Sequence, residues 1–353
     1  MKLEQICKIR NIKSDYIKTP MVVPSFSSKG FIDIDNIHRM LNKYIINSKL
    51  ISAYDLYYKN ISSEDIYGSE ILFLDSGGYE SKNYFQTSNI FISEYKTLEW
   101  NENKYEDVIK NIKPISDIII INYDFEKDKT ENQILFAQRL FSNYDYLYKD
   151  FLIKPDDSKG MINIEEYIAN IEKLSTFDIL GFTEKELGES IKQRLENLLK
   201  IRVALINLEI DKPIHILGCL DPISIWLYFL FGADIFDGLS WLRYAYSETG
   251  EAIYNSNNNL LKYREYNLYE SNLMMYYSNI KYLQNLNFEM NKFCYNYNFD
   301  NIKIKKSYIS IIQDLLTLVN FSVNLSGLTK LLHLLPSAVA ILYPLPCFID
   351  GNI

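Results

Sequence analysis

Over roughly the first 240 residues, short apolar runs alternate with longer stretches in which apolar positions recur every three or four residues. The short runs have no polar face and read as buried strands, and the longer stretches read as amphipathic helices. The clearest unit is Pro213 to Arg243, PIHILGCLDPISIWLYFLFGADIFDGLSWLR. His215 to Leu220 reads as a strand, and Asp221-Pro222 then opens a helix from Ile223 to Phe231. Proline suits such an early helical position. Ala233 to Phe236 reads as the next strand and delivers Asp237 at its carboxyl end. A strand–helix–strand unit this short predicts parallel strands.

The same rhythm precedes it. Met21 to Phe26 is a strand emptying into Ser27-Ser28-Lys29-Gly30, followed by a helix around Ile34 to Ile45. Lys49 to Leu56 is a second strand ending near Asp55, and Glu70 to Leu74 a third, running into Asp75-Ser76-Gly77-Gly78-Tyr79-Glu80. After a helix from Tyr105 to Ile112, the strand Asp117 to Asn122 presents Tyr123 and Asp124. Gln133 to Tyr144 is helix, and Asp150 to Ile153 is a strand capped by Lys154-Pro155-Asp156. Ile164 to Leu174 is helix, Phe177 to Leu180 a strand ending in Gly181-Phe182-Thr183, and Ile191 to Val203 a further helix.

Eight strands with polar residues at the same end predict an α/β fold, a (β/α)8 TIM barrel closing near residue 240. A doubly wound open sheet is the alternative. Against it, no GxGxxG follows the first strand, and the polar residues recur after many strands. Beyond Arg243 the rhythm stops. Ser247 to Asn259 reads as a loop, Tyr269 to Lys292 as a long helix, and Asn296 to Lys306 as a polar link. Ile309 to Val319 and Leu328 to Leu335 read as two more helices. The expected division is a catalytic barrel over 1–245 and a helical region packed on it over 246–353.

Composition changes little. Hydrophobic residues make up 48% of the 353 positions and charged ones 23%, an ordinary globular balance. The 29 tyrosines go with many Asn, Ile and Lys residues, as a biased base composition of the gene would produce. Cys7, Cys219, Cys294 and Cys347 form no CxxC pair, which argues against a disulfide framework and a cysteine-rich zinc site. The amino terminus has no long apolar core of a signal peptide. Leu328 to Cys347 is broken by Lys330, His333 and prolines, and reads as buried helix and loop, not as a membrane segment. A cytoplasmic protein is expected. The net charge of −8 gives no help to a nucleic-acid partner, although a local basic patch such as Lys303, Lys305 and Lys306 would suffice.

Asp75 stands before two glycines, which let backbone approach a ligand or take positive φ. Asp237 ends the last strand. A helix cap is the plainer account of each alone. Together, two carboxylates at one barrel mouth suit double displacement at a sugar carbon, one attacking and the other moving protons. Asp124 adds a carboxylate suited to the N–H and amino donors of a base.

These segments carry a resemblance. Phe73-Leu74-Asp75-Ser76-Gly77-Gly78-Tyr79-Glu80 resembles the Asp-Ser-Gly-Gly-Phe-Gln motif of the tRNA-guanine transglycosylase family. Asp237-Gly238-Leu239-Ser240-Trp241-Leu242-Arg243 resembles its Asp-Cys-Val-Leu-Pro-Thr-Arg segment. His215-Ile216-Leu217-Gly218 is similar to the His-Tyr-Leu-Met-Gly strand before it, with Pro222 where the family has a proline. Leu180-Gly181-Phe182 through Gly188-Glu189 is similar to its Gly-Gly-Leu…Gly-Glu loop, and Pro20 to Pro24 to its opening strand. The likeness runs in order over about residues 19 to 245.

The resemblance implies that Asp237 is the nucleophile at C1′ of a guanosine and Asp75 the acid/base. It implies that Asp124, Gly181 and Phe182 read the base, and that Arg243 holds a strand phosphate. Ser76, Gly77, Gly78, His215 and Gly218 then lie beside substrate, and Tyr79 and Tyr123 line or stack on the base, buried tyrosine being the plainer account of both. No cofactor is implied.

The family's Cys-x-Cys-x-x-Cys…His zinc site is not in this sequence: only Cys294, His333 and Cys347 lie in that region, without its spacing. Thr-Arg becomes Leu242-Arg243, and Phe-Gln becomes Tyr79-Glu80. The Thr183-to-Gly188 run and Ser52-Ala53-Tyr54-Asp55 look more like the DNA-modifying (DpdA-like) branch, which inserts a 7-deazaguanine such as preQ0 into DNA. DNA is therefore the expected partner, with tRNA the runner-up. Partner proteins of a DNA-modification system, a small-molecule N-glycosidase or nucleoside-processing barrel, and a non-catalytic binding subunit stay open.

Overall fold

The strand residues of the barrel alternate between two environments. Met21, Val23, Leu50, Phe73, Ile119, Ile121, Leu152, Ile179, Leu217 and Ile235 pack together in its interior. Their neighbours, among them Val22, Ile51, Leu72, Leu74, Ile120 and Phe236, pack outward in a larger cluster with the helices. Buried on both faces, these strands carry no polar face, hence their continuous apolar runs. The computed structural model describes residues 2–31, 33–82, 95–124, 128–156 and 160–317, with backbone only at 14 and 15.

Eight parallel strands form the closed barrel: β1 Met21–Phe26, β2 Ser48–Ser52, β3 Ile71–Asp75, β4 Asp117–Ile121, β5 Tyr148–Ile153, β6 Ile179–Thr183, β7 Ile214–Leu217 and β8 Ile235–Gly238. β8 closes on β1, with Asp237 opposite Val23. Helices wrap the barrel, including Glu102–Asn111, Thr130–Phe141, Ile191–Asn207 and Pro222–Leu230. Asp221 caps the last of these by accepting from the Ser224 N–H at 2.9 Å, with Pro222 in the first turn, as the sequence predicts.

A helical appendage follows. Its main element, Leu268–Asn296, starts one residue earlier than the periodicity predicts, where Asn267 and Glu270 form a capping box, and runs four residues further, to a left-handed cap at Tyr297, φ +52°. Its asparagines bind it to the barrel: Asn287 Oδ1 accepts from Val22 N at 3.0 Å, and Asn279 bonds the backbone of Trp241, Tyr244 and Tyr246.

Other differences have local causes. Strand two stops at Ser52, and Asp55 lies on the helix Ala53–Tyr57. Strand six runs on through Thr183, taking Gly181 and Phe182 into the sheet. A two-stranded hairpin, Arg10–Ile12 with Ser14–Thr19, precedes the barrel where no element was expected. The expected loop over 247–259 instead holds the strand Ala252–Ile253 and the helix Asn255–Lys262, a polar helix with little apolar periodicity to betray it. Residues 306–317 are helical, and the expected helix Leu328 to Leu335, like His333 and Cys347, lies outside the described residues. Among the described residues no helix is long and apolar enough to cross a membrane.

Candidate active site

A cavity of about 610 Å³ opens at the carboxyl-terminal ends of the strands. All eight contribute to it or to its rim: Ser25 from β1, Ser52 from β2, Asp75 from β3, Asp124 after β4, Leu152 from β5, Thr183 from β6, Leu217 from β7 and Asp237 from β8. In this fold the carboxyl-terminal face carries chemistry, because the strand ends converge there while the loops vary. The inward parity of each strand selects the residues. Ser25 continues Met21 and Val23, Asp75 continues Phe73, and Asp237 continues Ile235.

Asp237 is 6% exposed and faces three donors. Its Oδ2 accepts from the Ser25 hydroxyl at 2.7 Å, and its Oδ1 from the Gly218 N–H at 3.1 Å. His215 Nε2 stands 3.2 Å from Oδ1, within ion-pair range, though not aligned as a hydrogen bond. Gly218 has φ +80° and open space where a side chain would stand, so its amide turns toward Asp237 without crowding the cavity.

Asp75 has different surroundings. Burial, then the nearby Asp124 carboxylate, pushes its carboxyl up to about 7; the Gly77 N–H, donated at 2.9 Å, opposes this, and Asp237 adds to the rise. Asp124 moves the other way. Burial would raise it, but Lys154 and Lys82 outweigh burial and hold it below the usual carboxylate range. Lys82 Nζ pairs with Asp124 Oδ2 at 2.9 Å, and the Ser76 hydroxyl reaches Oδ1 at 3.4 Å. Arg243 donates to the Tyr79 hydroxyl at 3.1 Å, and both line the cavity.

Of the residues expected from sequence, Asp75, Gly78, Tyr79, Asp124, Gly218, Asp237 and Arg243 meet on the cavity wall. Ser76, Gly77, Tyr123, Gly181, Phe182 and His215 stand behind it. Ser76 is wholly buried, its carbonyl accepting from Trp100 Nε1 at 2.8 Å, and Gly77 at φ +85° packs against Tyr54 and Trp100. Tyr123 lies near Tyr105, with centroids 6.2 Å apart. Phe182 points outward onto Tyr167, at 4.9 Å. Gly181 faces Asp150, where a Cβ would stand 2.9 Å from Asp150 Oδ1.

Several residues at the site escape the sequence reading. Lys82 and Lys154 flank Asp124, and Lys154 also pairs with Glu186 at 2.7 Å. Glu80 lies in the wall, accepts from the Ser27 hydroxyl and, at 2.8 Å, from Ser52, and is pushed up to about 8 by burial, Asp55 and Asp75. Asp150 binds His215 Nδ1 at 2.6 Å. For Glu80 a signal existed, a carboxylate directly after the Asp-Ser-Gly-Gly run. For Asp150 only its inward strand parity could have served.

Among the described residues no group of three or more His, Cys, Asp or Glu side chains is arranged to hold a metal ion. No protein-family model matches this chain, and a search of curated proteins finds no match. The conclusion therefore rests on architecture: a helix-wrapped parallel barrel with a carboxylate-lined mouth is the framework of a barrel-type enzyme, with a pocket consistent with glycosidase or transferase chemistry.

Proposed function

We propose that this chain exchanges guanine in DNA for a 7-deazaguanine base such as preQ0, through a covalent aspartyl–sugar intermediate. The observation that carries the reading is the contrast between two carboxyls in one cavity. Asp75 is pushed toward its protonated form, while Asp237 faces the Ser25 hydroxyl, the Gly218 amide and His215. Such a pair divides the labour of acid and nucleophile.

In this reading an Asp237 oxygen attacks C1′, forming a C–O bond as the C1′–N bond breaks. The departing electron pair stays on the base nitrogen, which takes the Asp75 proton. The incoming deazaguanine returns a proton to Asp75, and its nitrogen displaces the Asp237 carboxylate. Asp124, held by Lys82, accepts from donors of the base edge. Arg243 at the rim meets a phosphate of the strand. The target base must leave its stack to enter such a pocket. The choice of DNA rests on the segments in which the chain departs from the tRNA enzymes, with tRNA the runner-up. A nucleoside-processing barrel is the second reading, favoured by the net charge of −8.

Intact-protein mass spectrometry tests all three. Wild type and Asp237→Asn are incubated with guanine-containing duplex DNA, tRNA or free guanosine. The expected result is a DNA adduct on the wild type alone, discharged by preQ0. An adduct only with tRNA or guanosine reassigns the substrate. No adduct and no base exchange with any of them overturns the reading.

A further inference from the structure

A carboxylate inside a barrel, close to a second one, calls for a counter-charge. Below the cavity, His215 and Asp150 are both wholly buried, and Asp150 Oδ2 lies 2.6 Å from His215 Nδ1. The other ring nitrogen, Nε2, stands 3.2 Å from Asp237 Oδ1. The titratable groups facing the imidazole are thus Asp150 from β5 and Asp237 from β8. Asp237 acts in turn on Asp75 of β3, and Phe73, also on β3, packs its ring 5.5 Å from the imidazole. Asp150 Oδ1 has no hydrogen-bond partner among the described residues. A half-satisfied buried carboxylate is costly unless a cation stands beside it. Gly181 supplies the room this arrangement needs.

We propose that His215, charged and clamped by Asp150, is the positioning residue of Asp237: it engages Oδ1 together with the Gly218 amide and leaves Oδ2 as the oxygen that attacks the sugar. This rests on the transglycosylase reading. The Ser25 hydroxyl is the sole hydrogen-bond donor to Oδ2 among the described residues, and it turns away by one bond rotation. Burial by itself would lower the imidazole, but Asp150 and then Asp237 outweigh it and hold it up at about 9. His215 therefore keeps both ring protons while the C–O bond forms and the C–N bond breaks. The proton for the leaving base comes from Asp75.

The chain has 3 histidines, His38, His215 and His333, so imidazole nitrogen NMR on His38→Gln and His333→Gln backgrounds isolates the third. Both His215 nitrogens are expected to be protonated at neutral pH. Asp150→Asn and Asp237→Asn should each lower the midpoint of the titration by about one unit or more. In the adduct assay, Asp150→Asn should slow formation about ten- to a hundredfold below pH 7, where Asp75 keeps its proton. A purely structural role would change the unfolding midpoint and leave the rate of the folded protein alone. A neutral His215 at neutral pH overturns the proposal, as does a folded Asp150→Asn with unchanged rate. Should Asp150→Asn fail to fold, the Asp237→Asn titration decides: an unmoved midpoint overturns the coupling. These failures occur with an active wild type, whereas a wild type that forms no adduct at all brings down the transglycosylase reading itself.

Discussion

Gly78 and Asp124 fit so closely that a side chain on the first would exclude the carboxylate of the second. A Cβ on Gly78 would stand 2.2 Å from Asp124 Oδ2 and 2.7 Å from its Cγ. The second glycine of the Asp-Ser-Gly-Gly run is therefore fixed by a side chain 46 positions later in the chain. Gly78→Ala should displace Asp124 from Lys82 and weaken binding of a 7-deazaguanine base at least about tenfold by calorimetry. The crowding should also cost about 1–3 kcal/mol of stability. Unchanged affinity would separate Asp124 from base reading.

At the opposite end of the barrel, charge has a different use. Asp234, just before β8, is wholly buried between Arg10 and Arg202, each at 2.5 Å, and it also accepts from the Ile214 amide at 2.8 Å. The two arginines tie the amino-terminal hairpin and the helix Ile191–Asn207 to the barrel floor. Asp234→Asn takes the carboxylate from the buried Arg202 and leaves Arg10 only the exposed Asp211, 3.1 Å from its Nε, which should cost about 3–5 kcal/mol in urea unfolding. Base affinity of the folded variant should match wild type, as expected where the amino-terminal face serves stability. A comparable loss of affinity would mean that the floor and the cavity are coupled.

How much of this was legible follows from distance along the chain. The strands were readable because both faces are buried, so their apolar runs stand out without partners. The carboxylates Asp75 and Asp237 were readable because they follow such runs directly. The contacts around them were not. Asp150 and His215 are 65 positions apart, and nothing in either neighbourhood signals the other. Gly181 looked like a backbone contact for a base, yet it clears space for Asp150 across the strand pair. Phe182 follows it in sequence, and strand alternation sends it to the outside. Strand boundaries were misplaced where a polar residue continues a strand, as at Thr183, or where buried apolar residues turn from strand into helix, as at Ala53 and Tyr54.

Asp75 ties stability and rate to pH in the same sense, and its removal separates them. Its carboxyl is raised from 3.8 to about 7, so its favourable contribution is complete below pH 4 and is lost as pH rises through 7. Asp75→Asn removes that loss. Its stability relative to wild type should increase between about pH 4 and pH 7 and then level off. The full shift corresponds to about 4 kcal/mol, and water reaching the carboxyl from the cavity reduces this to about 1–3. Adduct formation by the variant should fall sharply, because no proton is available for the leaving base. A pH-independent stability difference would place the Asp75 carboxyl in its ordinary range.

Glu80 separates burial from catalysis in the same cavity. It is 2% exposed, and both oxygens accept from serine hydroxyls, Ser27 and Ser52. Burial, then Asp55 and Asp75, raises it from 4.5 to about 8, against the two serines. Its contribution to stability is therefore complete below pH 4.5 and lost through pH 8, a higher window than that of Asp75. Glu80→Gln keeps the shape and removes the titration. Its advantage over wild type should grow by about 2–4 kcal/mol between pH 5 and pH 8.5 in urea unfolding. Because Asp75 contributes to the rise, the Asp75→Asn, Glu80→Gln double variant should gain less than the two singles together. Strict additivity would mean that the two carboxyls do not sense each other across the cavity. A Glu80→Gln advantage that levels off by pH 6 would place the carboxyl far below its expected window.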